Sequence, residues 1–396
     1  MRASSDYFVI FGGGGIRGIS YVGALQALIE NNVNITGYAG SSIGSVFASL
    51  CAVGYKISDI KEFFYGINIE FFKDINFNFG SQIALSRGEL FLEWMREKIE
   101  FKFYGDDYIK DKMAPVCFKD LENDLIIYSV DITNGKFNEF SKYKTPDFEI
   151  ALAIRASVSM PGLFKPLEID DKFIVDGDLM KSWPLWRLSD NLRDRKERII
   201  EFRLEDNGQK RNISNALDYL NAVYNTISGS ATDYIIDVYA NKDKFEYIKI
   251  NTDNISVLDF NIPMSKKEFL VQVGYETTKE YFEEFLPKKH KNLCDDYTKI
   301  KFSLLKMKEK FNKQKNKEAY LILCEIFVEI CKQKKTMDTQ LYKMISDLQT
   351  VFSQNLKETR NIFLVKQTKI LNLNYIAQKI DDTIYFVSKK IDELKD

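Results

Sequence analysis

Histidine is almost absent from this chain, and its scarcity limits the chemistry that the chain can perform. Among 396 residues there is one histidine, His290, in the run Lys288-Lys289-His290. We interpret it as an exposed linker residue and not as a catalytic base. A Ser-His-Asp triad is therefore not expected, and a nucleophilic serine would need a carboxylate as its base. Metal sites built from several histidines are excluded by the same count.

Cysteine pairs and long apolar runs are also missing. The five cysteines are odd in number and form no C-x-x-C pair, which favours buried thiols in a reducing compartment over a disulfide framework. No apolar run approaches about 18 residues, so we expect no membrane-spanning helix. The run Tyr7–Phe11 is too short for a signal peptide and leads directly into glycines. We expect a cytoplasmic or peripheral membrane protein, and translocation into another cell stays open.

Glycine and proline disappear from the last part of the chain. After Pro287 there is neither, while lysine and helical periodicity dominate. Residues 287–396 hold 23 Lys and Arg and 14 Asp and Glu, which gives a net charge of +9. Residues 1–286 hold 33 Lys and Arg and 43 Asp and Glu, which gives a net charge of −10. We therefore predict a first domain over 1–286 and a basic helical domain over 287–396. Its clearest apolar stripe is Leu341, Met344 or Ile345, Leu348, and Val351 or Phe352.

The first fifty residues alternate between strand and helix patterns. Residues 6–11 form a continuous apolar run of the kind buried on both faces of a parallel sheet. After four glycines, residues 16–30 show helical spacing, and a strand over 35–39 and a helix over 43–53 follow. This order predicts an α/β fold with a mainly parallel sheet. Further strands are predicted over 125–132, 136–140, 165–169, 172–175, 198–204 and 247–250, and helices over 147–157, 213–230 and 264–285.

The most informative stretch lies between that second strand and second helix. Gly40-Ser41-Ser42-Ile43-Gly44 matches G-x-S-x-G, in which glycines allow a sharp turn that presents the serine hydroxyl to solvent. The match is a modest signal by itself, because two glycines and a serine often coincide in a long chain. It predicts Ser42 as a nucleophile, with Gly40 and Gly44 shaping the turn.

A glycine-rich turn precedes this elbow and has two interpretations. Gly13-x-Gly15-x-x-Gly18 formally matches a dinucleotide fingerprint, but the second strand ends without the carboxylate that would hold a ribose. The alternative is an oxyanion hole made by the N–H groups of Gly13, Gly14 and Gly15. We favour the oxyanion hole, because adjacent parallel strands carry both turns to one edge of the sheet.

A carboxylate base for Ser42 must come from elsewhere in the chain. Asp176 ends a short apolar strand, and Gly177 lets the backbone turn immediately after it. An ordinary Asp-Gly turn would give the same pattern. Asp131 and Asp171 also lie near strand ends, so Asp176 is the best of several candidates.

Together these residues resemble the patatin-like phospholipase family. The turn Gly13 to Gly18 matches the family's G-G-G-x-[KR]-G, with Arg17 as the basic residue, and the elbow matches its G-x-S-x-G. The stretch 155–166 is similar to the family's Ala-Ser-x-x-x-Pro-x-x-Phe-x-Pro, and Asp176-Gly177 begins its D-G-[GA] motif. Order, spacing and context agree over residues 6 to about 286.

The resemblance implies a three-layer α/β fold and a Ser-Asp dyad, with Ser42 as nucleophile and Asp176 as base. It also implies hydrolysis of acyl esters without calcium or another cofactor. Asp178 departs from the small third residue of D-G-[GA]. Directed inward, its carboxylate would raise the pKa of Asp176 by like-charge repulsion; directed outward, it would have no effect. The segment 179–184 lacks the asparagines that the family often carries there, which leaves open how the base is oriented.

The expected substrate is a phospholipid at a membrane surface, cleaved as by a phospholipase A. Two alternatives stay open: a neutral-lipid lipase or acyltransferase with the same dyad, and a membrane- or partner-binding module whose hydrolase site has decayed. The basic domain either binds anionic head groups or simply exposes its lysines to water. Its dispersed charges argue against nucleic acid. A protein or small-molecule activator is compatible with the sequence, and Arg17 would position either its loop or a head-group phosphate.

The segment after the elbow helix is crowded with aromatic residues. It is either a lid or acyl-chain wall, or simply part of the core, and we favour the core because aromatic stripes at helical spacing usually pack inside. The residues concerned are Phe63, Phe64, Tyr65, Phe71, Phe72, Phe77 and Phe79.

Overall fold

The computed structural model describes residues 6–67, 84–180, 197–206, 245–332, 338–358 and 366–395, with six isolated positions between 213 and 226. These residues form two compact units. The first comprises the described residues up to Phe282, and the second those from Glu283 onward.

The first unit is built on a mixed sheet. Its strands are β1 (Asp6–Phe11), β2 (Asn34–Ser41), β4 (Asp124–Asp131), β5 (Lys136–Ser141), β7 (Leu167–Ile169), β8 (Lys172–Asp176), β9 (Arg198–Glu205) and β10 (Phe245–Asn251). The order is β10-β9-β1-β2-β4-β8-β7, with β5 also paired to β4. The first five strands of that order run parallel, while β5 and β8 are antiparallel to β4 and β7 is antiparallel to β8. A separate parallel pair joins β3 (Ala84–Ser86) to β6 (Gly162–Phe164).

Helices cover the sheet. Their bounds are α1 (Ser20–Glu30), α2 (Ile43–Ala52), α3 (Ile57–Gly66), α4 (Glu89–Tyr104), α5 (Ile150–Ser157) and α6 (Met264–Glu280). All eight residues of β4 and five of the six in β1 are buried. Because neighbouring residues of a strand point to opposite faces, both faces of the sheet must be covered.

The structure confirms the predicted α/β class with a mainly parallel sheet and a C-terminal all-α region. The predicted strands lie within a few residues of the observed ones. The helix predicted over 16–30 begins as a 3₁₀ turn, Gly15–Ile19, before α1. Of the aromatic segment, Phe64 is buried and stacks on Phe47. Residues 71–79 and most of the helix predicted over 213–230 lie outside the described residues.

The second unit contains four helices among its described residues: α7 (Leu286–Asn312), α8 (Asn316–Lys332), α9 (Thr339–Glu358) and α10 (Lys366–Lys395). They enclose one apolar core, and the predicted stripe of α9 is confirmed. Several lysines pair with acids at the surface, as Lys310 does with Glu318. No helix in the described ranges is long and apolar enough to cross a bilayer.

The interpretation of His290 as an exposed linker residue is wrong. Residues 264–312 are helical throughout, with a short π-helical stretch over Tyr281–Phe285, so His290 lies inside α7 and is half-buried. Pro287 lies in the first turn of α7, directly after the π-helical stretch. Of the thiols expected to be buried, Cys51 is buried and Cys331 is exposed.

Candidate active site

The sheet brings the three predicted parts of the site to one edge. Gly40 of β2 lies opposite Phe11 of β1, so the glycine-rich turn and the elbow leave neighbouring parallel strands side by side. Asp176, the last residue of β8, lies opposite Ser129 of β4, which is the next strand beyond β2. Because β8 runs antiparallel to β4, the segment after Asp176 returns towards Ser42.

Ser42 sits on a strained turn between β2 and α2. Its backbone angles are φ 50° and ψ −132°, a combination that a residue with a side chain rarely adopts. The flanking glycines are required by close approaches. A Cβ atom on Gly40 would lie 2.1 Å from the carbonyl oxygen of Gly44, and one on Gly44 would lie 2.0 Å from that of Phe11. The G-x-S-x-G pattern is thus a packing requirement of this elbow.

Hydrogen bonds on both sides hold this turn. The N–H of Ser42 donates to Oγ of Ser157 at 3.0 Å, and that hydroxyl donates to the carbonyl oxygen of Tyr128 at 2.6 Å. The carbonyl oxygen of Ser42 accepts from both the N–H and the hydroxyl of Ser45, at 2.9 and 2.6 Å. Ser157 ends α5, and sequence reasoning gave it no individual role. Its position as a small polar residue at the end of an apolar helix was the available signal.

Ser42 and Asp176 are in direct contact. The Ser42 hydroxyl donates to Oδ2 of Asp176 at 2.7 Å. The other carboxylate oxygen accepts the N–H of Asp178 at 2.8 Å, and the N–H of Asp176 donates to the carbonyl oxygen of Ser159 at 3.0 Å. Asp176 is only 1% exposed. A buried carboxylate oriented in this way can accept a proton from the serine hydroxyl.

The other candidate acids lie elsewhere. Asp131 accepts hydrogen bonds from the N–H and side-chain amide of Asn134. Asp171 belongs to the turn between β7 and β8, where it has a positive φ of 58°. No cluster of acidic, histidine or cysteine side chains suited to a metal ion occurs among the residues that the structure describes.

Asp178 is buried and directed towards the elbow and the glycine-rich turn. Its Oδ1 accepts the N–H of Gly13 at 3.0 Å and the hydroxyl of Ser41 at 2.5 Å. The guanidinium of Arg203, from β9, lies 3.5 Å from the same oxygen. Of the two orientations considered from the sequence, the structure shows the inward one, with a cation beside the carboxylate. Gly177 begins the 3₁₀ turn Gly177–Met180 that carries Asp178.

The glycine-rich turn leaves two N–H groups at the site. Within the described part of the chain, hydrogen bonds engage the N–H groups of Gly12, Gly13, Ile16 and Arg17, with none for those of Gly14 and Gly15. Both of these residues line the cavity that contains Ser42. Gly13, one of the three predicted oxyanion donors, is thus engaged by a carboxylate, while Gly14 and Gly15 stay predicted donors.

Arg17 belongs to the same turn and is 6% exposed. Its Nε donates to the carbonyl oxygen of Gly14 at 3.3 Å, and its Nη1 lies 3.7 Å from the carboxylate of Asp206. Gly18 follows it within the buried 3₁₀ turn. Of the two roles considered for Arg17, these contacts favour positioning of the loop.

The cavity beside Ser42 has walls that are mainly apolar. Its lining includes both carboxylates, Asp176 and Asp178, and the loop 257–260 after β10. Walls of this polarity are suited to a hydrocarbon chain, with the reacting ester at the polar end. The apolar walls include Val46, Ile67, Phe91, Trp94, Leu163 and Phe164.

Comparison with known proteins relates part of the first unit to a known family. Residues 9–188 match the sequence model of a family described as patatin-like phospholipase. This region resembles a patatin-like phospholipase domain. The patatin-like family includes lipid hydrolases, which supports lipase-type hydrolysis by this chain.

Individual relatives agree with the patatin-like assignment. Protein R571 of Acanthamoeba polyphaga mimivirus is 29% identical over 280 residues, which cover 68% of this chain and 91% of R571. The probable lipid hydrolase 463L of Invertebrate iridescent virus 6 is 26% identical over 182 residues, covering 45% of this chain and 61% of 463L. The structure of VipD from Legionella pneumophila superposes with a TM-score of 0.53 at 17% identity, covering 96% of this chain and 92% of VipD. That likeness shows a shared fold.

Proposed function

We propose that this protein is a phospholipase A-type acyl hydrolase that cleaves fatty-acyl esters of membrane phospholipids through a Ser42–Asp176 dyad. The observation that carries the proposal is the 2.7 Å hydrogen bond from the Ser42 hydroxyl to Oδ2 of Asp176, on a strained elbow beside an apolar cavity. With one histidine in the chain, at a position inside α7, the carboxylate is the base that the site provides.

The proposed reaction has an acylation half and a deacylation half, and the same groups act in both. Asp176 accepts the hydroxyl proton as Ser42 Oγ attacks the ester carbonyl, and the N–H groups of Gly14 and Gly15 stabilise the resulting oxyanion. The intermediate collapses to an acyl-Ser42 ester, and the leaving alcohol takes the proton from Asp176. Water then attacks the acyl-enzyme, giving its proton to Asp176. Collapse of this second intermediate returns that proton to Ser42 Oγ and releases the fatty acid.

The domain division belongs to the same proposal. We infer that residues 1–286 act as the hydrolase domain and that residues 287–396 act as a separate basic helical domain. The net charges of −10 and +9 support this division, because the two parts differ in sign. An anionic membrane would attract the basic part. The expected location of activity is a membrane surface, where the substrate resides.

Release of fatty acid from mixed phosphatidylcholine and phosphatidylglycerol vesicles tests the proposal. Wild type should release fatty acid and lysophospholipid, and Ser42→Ala should be inactive. Asp176→Asn should lose on the order of 10²- to 10⁴-fold in rate, as expected for removal of a general base. Ser49→Ala is the matched control. Ser49 is fully buried on α2, the helix that follows Ser42, and its replacement should leave the rate unchanged.

The alternatives give different products. A neutral-lipid lipase would hydrolyse triacylglycerol emulsions in preference to vesicles, and an acyltransferase would move the acyl group to an added alcohol or lysophospholipid acceptor. A decayed hydrolase would bind vesicles without releasing fatty acid from any of these substrates. Fatty-acid release by the Ser42→Ala variant at the wild-type rate would disprove the dyad.

A further inference from the structure

Asp178 contacts all three parts of the proposed active site. Its carboxylate accepts hydrogen bonds from Gly13 in the glycine-rich turn and from Ser41, the residue before the nucleophile. Its own N–H donates to the carboxylate of Asp176. One residue therefore ties together the segments that follow β1, β2 and β8.

The fit around this residue is close. A Cβ atom on Gly13 would lie 2.6 Å from Cγ of Asp178 and 2.9 Å from Cβ of Ser42. A Cβ atom on Gly12 would lie 3.0 Å from Cδ of Arg203. The turn is thus packed directly on the side chains of Asp178 and Arg203, and a shift of either one must move the turn.

Arg203 supplies the charge that this arrangement needs. It is buried, with its Nη1 3.5 Å from Oδ1 of Asp178 and its Nε 2.5 Å from Oε1 of Glu201, which is also buried. Burial lowers the pKa of Arg203, but Glu201 and Asp178 raise it by more, so its pKa stays above the ordinary value and the guanidinium remains charged. A buried carboxylate without such a partner would be costly and would oppose an anion forming nearby.

We infer that Asp178, held by Arg203, is a positioning residue that fixes the oxyanion donors Gly14 and Gly15 relative to Ser42. The hydrogen bond from the N–H of Gly13 to Asp178 orients the N–H groups of Gly14 and Gly15 towards the cavity. In this chain a carboxylate thus takes the place of the small third residue of the D-G-[GA] motif. The inference rests on the proposed function, because it concerns the rate of the same reaction.

The test compares two substitutions at one position, using a soluble p-nitrophenyl ester so that kcat and KM are measured separately. Asp178→Asn keeps an oxygen that accepts from Gly13 and Ser41, and kcat should stay within about 3-fold of wild type. Asp178→Ala removes the acceptor, and kcat should fall about 10- to 100-fold, since displacement by about 1 Å can cost about 10²-fold. KM should change by less than about 3-fold, because the apolar walls of the cavity keep their side chains.

Asp124→Ala is the matched control. Asp124 is another buried carboxylate, paired with Lys142 and hydrogen-bonded by Tyr143, but it lies at the opposite end of β4 from the site. Its loss should leave kcat unchanged. A wild-type kcat in Asp178→Ala, or a loss in Asp178→Asn as large as in Asp178→Ala, would overturn the inference.

Arg203 provides a second, independent arm in case Asp178→Ala does not fold. Arg203→Met leaves the Asp178 charge without its cation, and kcat should fall about 10-fold or more. Adding Asp178→Asn to Arg203→Met removes that charge and should recover part of the loss. Equal kcat values for these two proteins would contradict the inference. A wild type without esterase activity, or an active Ser42→Ala, would instead overturn the proposed function itself.

Discussion

Ser157→Ala is the substitution that probes the elbow without touching a reacting atom. The Ser157 hydroxyl accepts from the N–H of Ser42 and donates to the carbonyl oxygen of Tyr128, and Ser157 is fully buried. Alanine takes the acceptor away from the N–H of Ser42, at a cost of about 1–3 kcal/mol, and removes the bond to Tyr128, which is worth about 0.5–1.5 kcal/mol. We expect the free energy of unfolding to fall by about 2–4 kcal/mol.

The same change should slow the reaction. The backbone strain at Ser42 costs about 1–3 kcal/mol and persists only while its neighbours enforce it. With one of those bonds removed, the elbow is free to relax, and we expect kcat for a soluble ester to fall about 10²-fold. Urea denaturation measures the stability, and steady-state kinetics measure the rate.

Ser49→Ala is the control for both measurements. Ser49 is equally buried on α2, and among the described residues its hydroxyl has no hydrogen-bond partner. Its removal should change the free energy of unfolding by less than about 0.5 kcal/mol or increase it, because no bond is lost. If Ser157→Ala loses no more stability or rate than Ser49→Ala, the account of the elbow is refuted.

Three further substitutions test the surrounding structure. Gly44→Ala should prevent folding or lower the unfolding temperature sharply, because its Cβ would lie 2.0 Å from a backbone oxygen. Gly66→Ala is the control: its Cβ would meet no atom within 4 Å, and it should be tolerated in the same thermal scan. Arg155→Lys should lower the free energy of unfolding in urea by about 2 kcal/mol or more, since the guanidinium binds three backbone carbonyls that an amine cannot reach together. Burial raises the pKa of Glu201 more than Arg203 lowers it. The contribution of Glu201 to the free energy of unfolding is therefore fully present below its ordinary pKa of 4.5, and it is lost as the pH rises through the folded-state pKa. Urea titrations from pH 4.5 to 8 should show that wild type loses this free energy and that Glu201→Gln does not. Parallel pH curves for the two proteins would contradict the raised pKa of Glu201.

The local parts of the site were predictable from the sequence. The elbow around Ser42 follows from glycines at two fixed positions between a strand and a helix. The contact between Ser42 and Asp176 could be expected for two reasons. The single histidine was not expected to act as the base of a catalytic triad, and Asp176 ends a strand. The elbow depends on short-range backbone geometry, which a sequence pattern records directly. The contact with Asp176 joins positions 134 residues apart, and it was expected from the missing histidine base and the family resemblance instead.

The long-range parts were not predictable in the same way. The orientation of Asp178 depends on a 3₁₀ turn after β8 and on Arg203, which lies 25 positions further along the chain in β9. In the sequence Arg203 is one of four charged residues in β9, and nothing distinguishes it from the others. Only the order of the strands, which places β9 beside β1, brings its guanidinium beneath the glycine-rich turn. The engagement of Gly13 by a carboxylate follows from that arrangement.

The second unit shows a different limit of sequence patterns. The change in composition near 287 marks where glycine and proline end, but the backbone there is continuous helix. Composition responds to the solvent exposure and charge of side chains, whereas helix continuity depends on backbone hydrogen bonds, so the two need not change at the same residue. His290 was misinterpreted for this reason.

Detection of the acyl-enzyme tests the central claim most directly. Wild type and Asp176→Asn would be mixed with phosphatidylcholine vesicles, quenched in acid within one turnover, digested and analysed by peptide mass spectrometry. We predict that the wild-type peptide containing Ser42 gains the mass of one fatty-acyl group and that Asp176→Asn gains it far more slowly. Fatty-acid release with the acyl group on another residue, or with equal acylation of both proteins, would contradict a Ser42–Asp176 dyad.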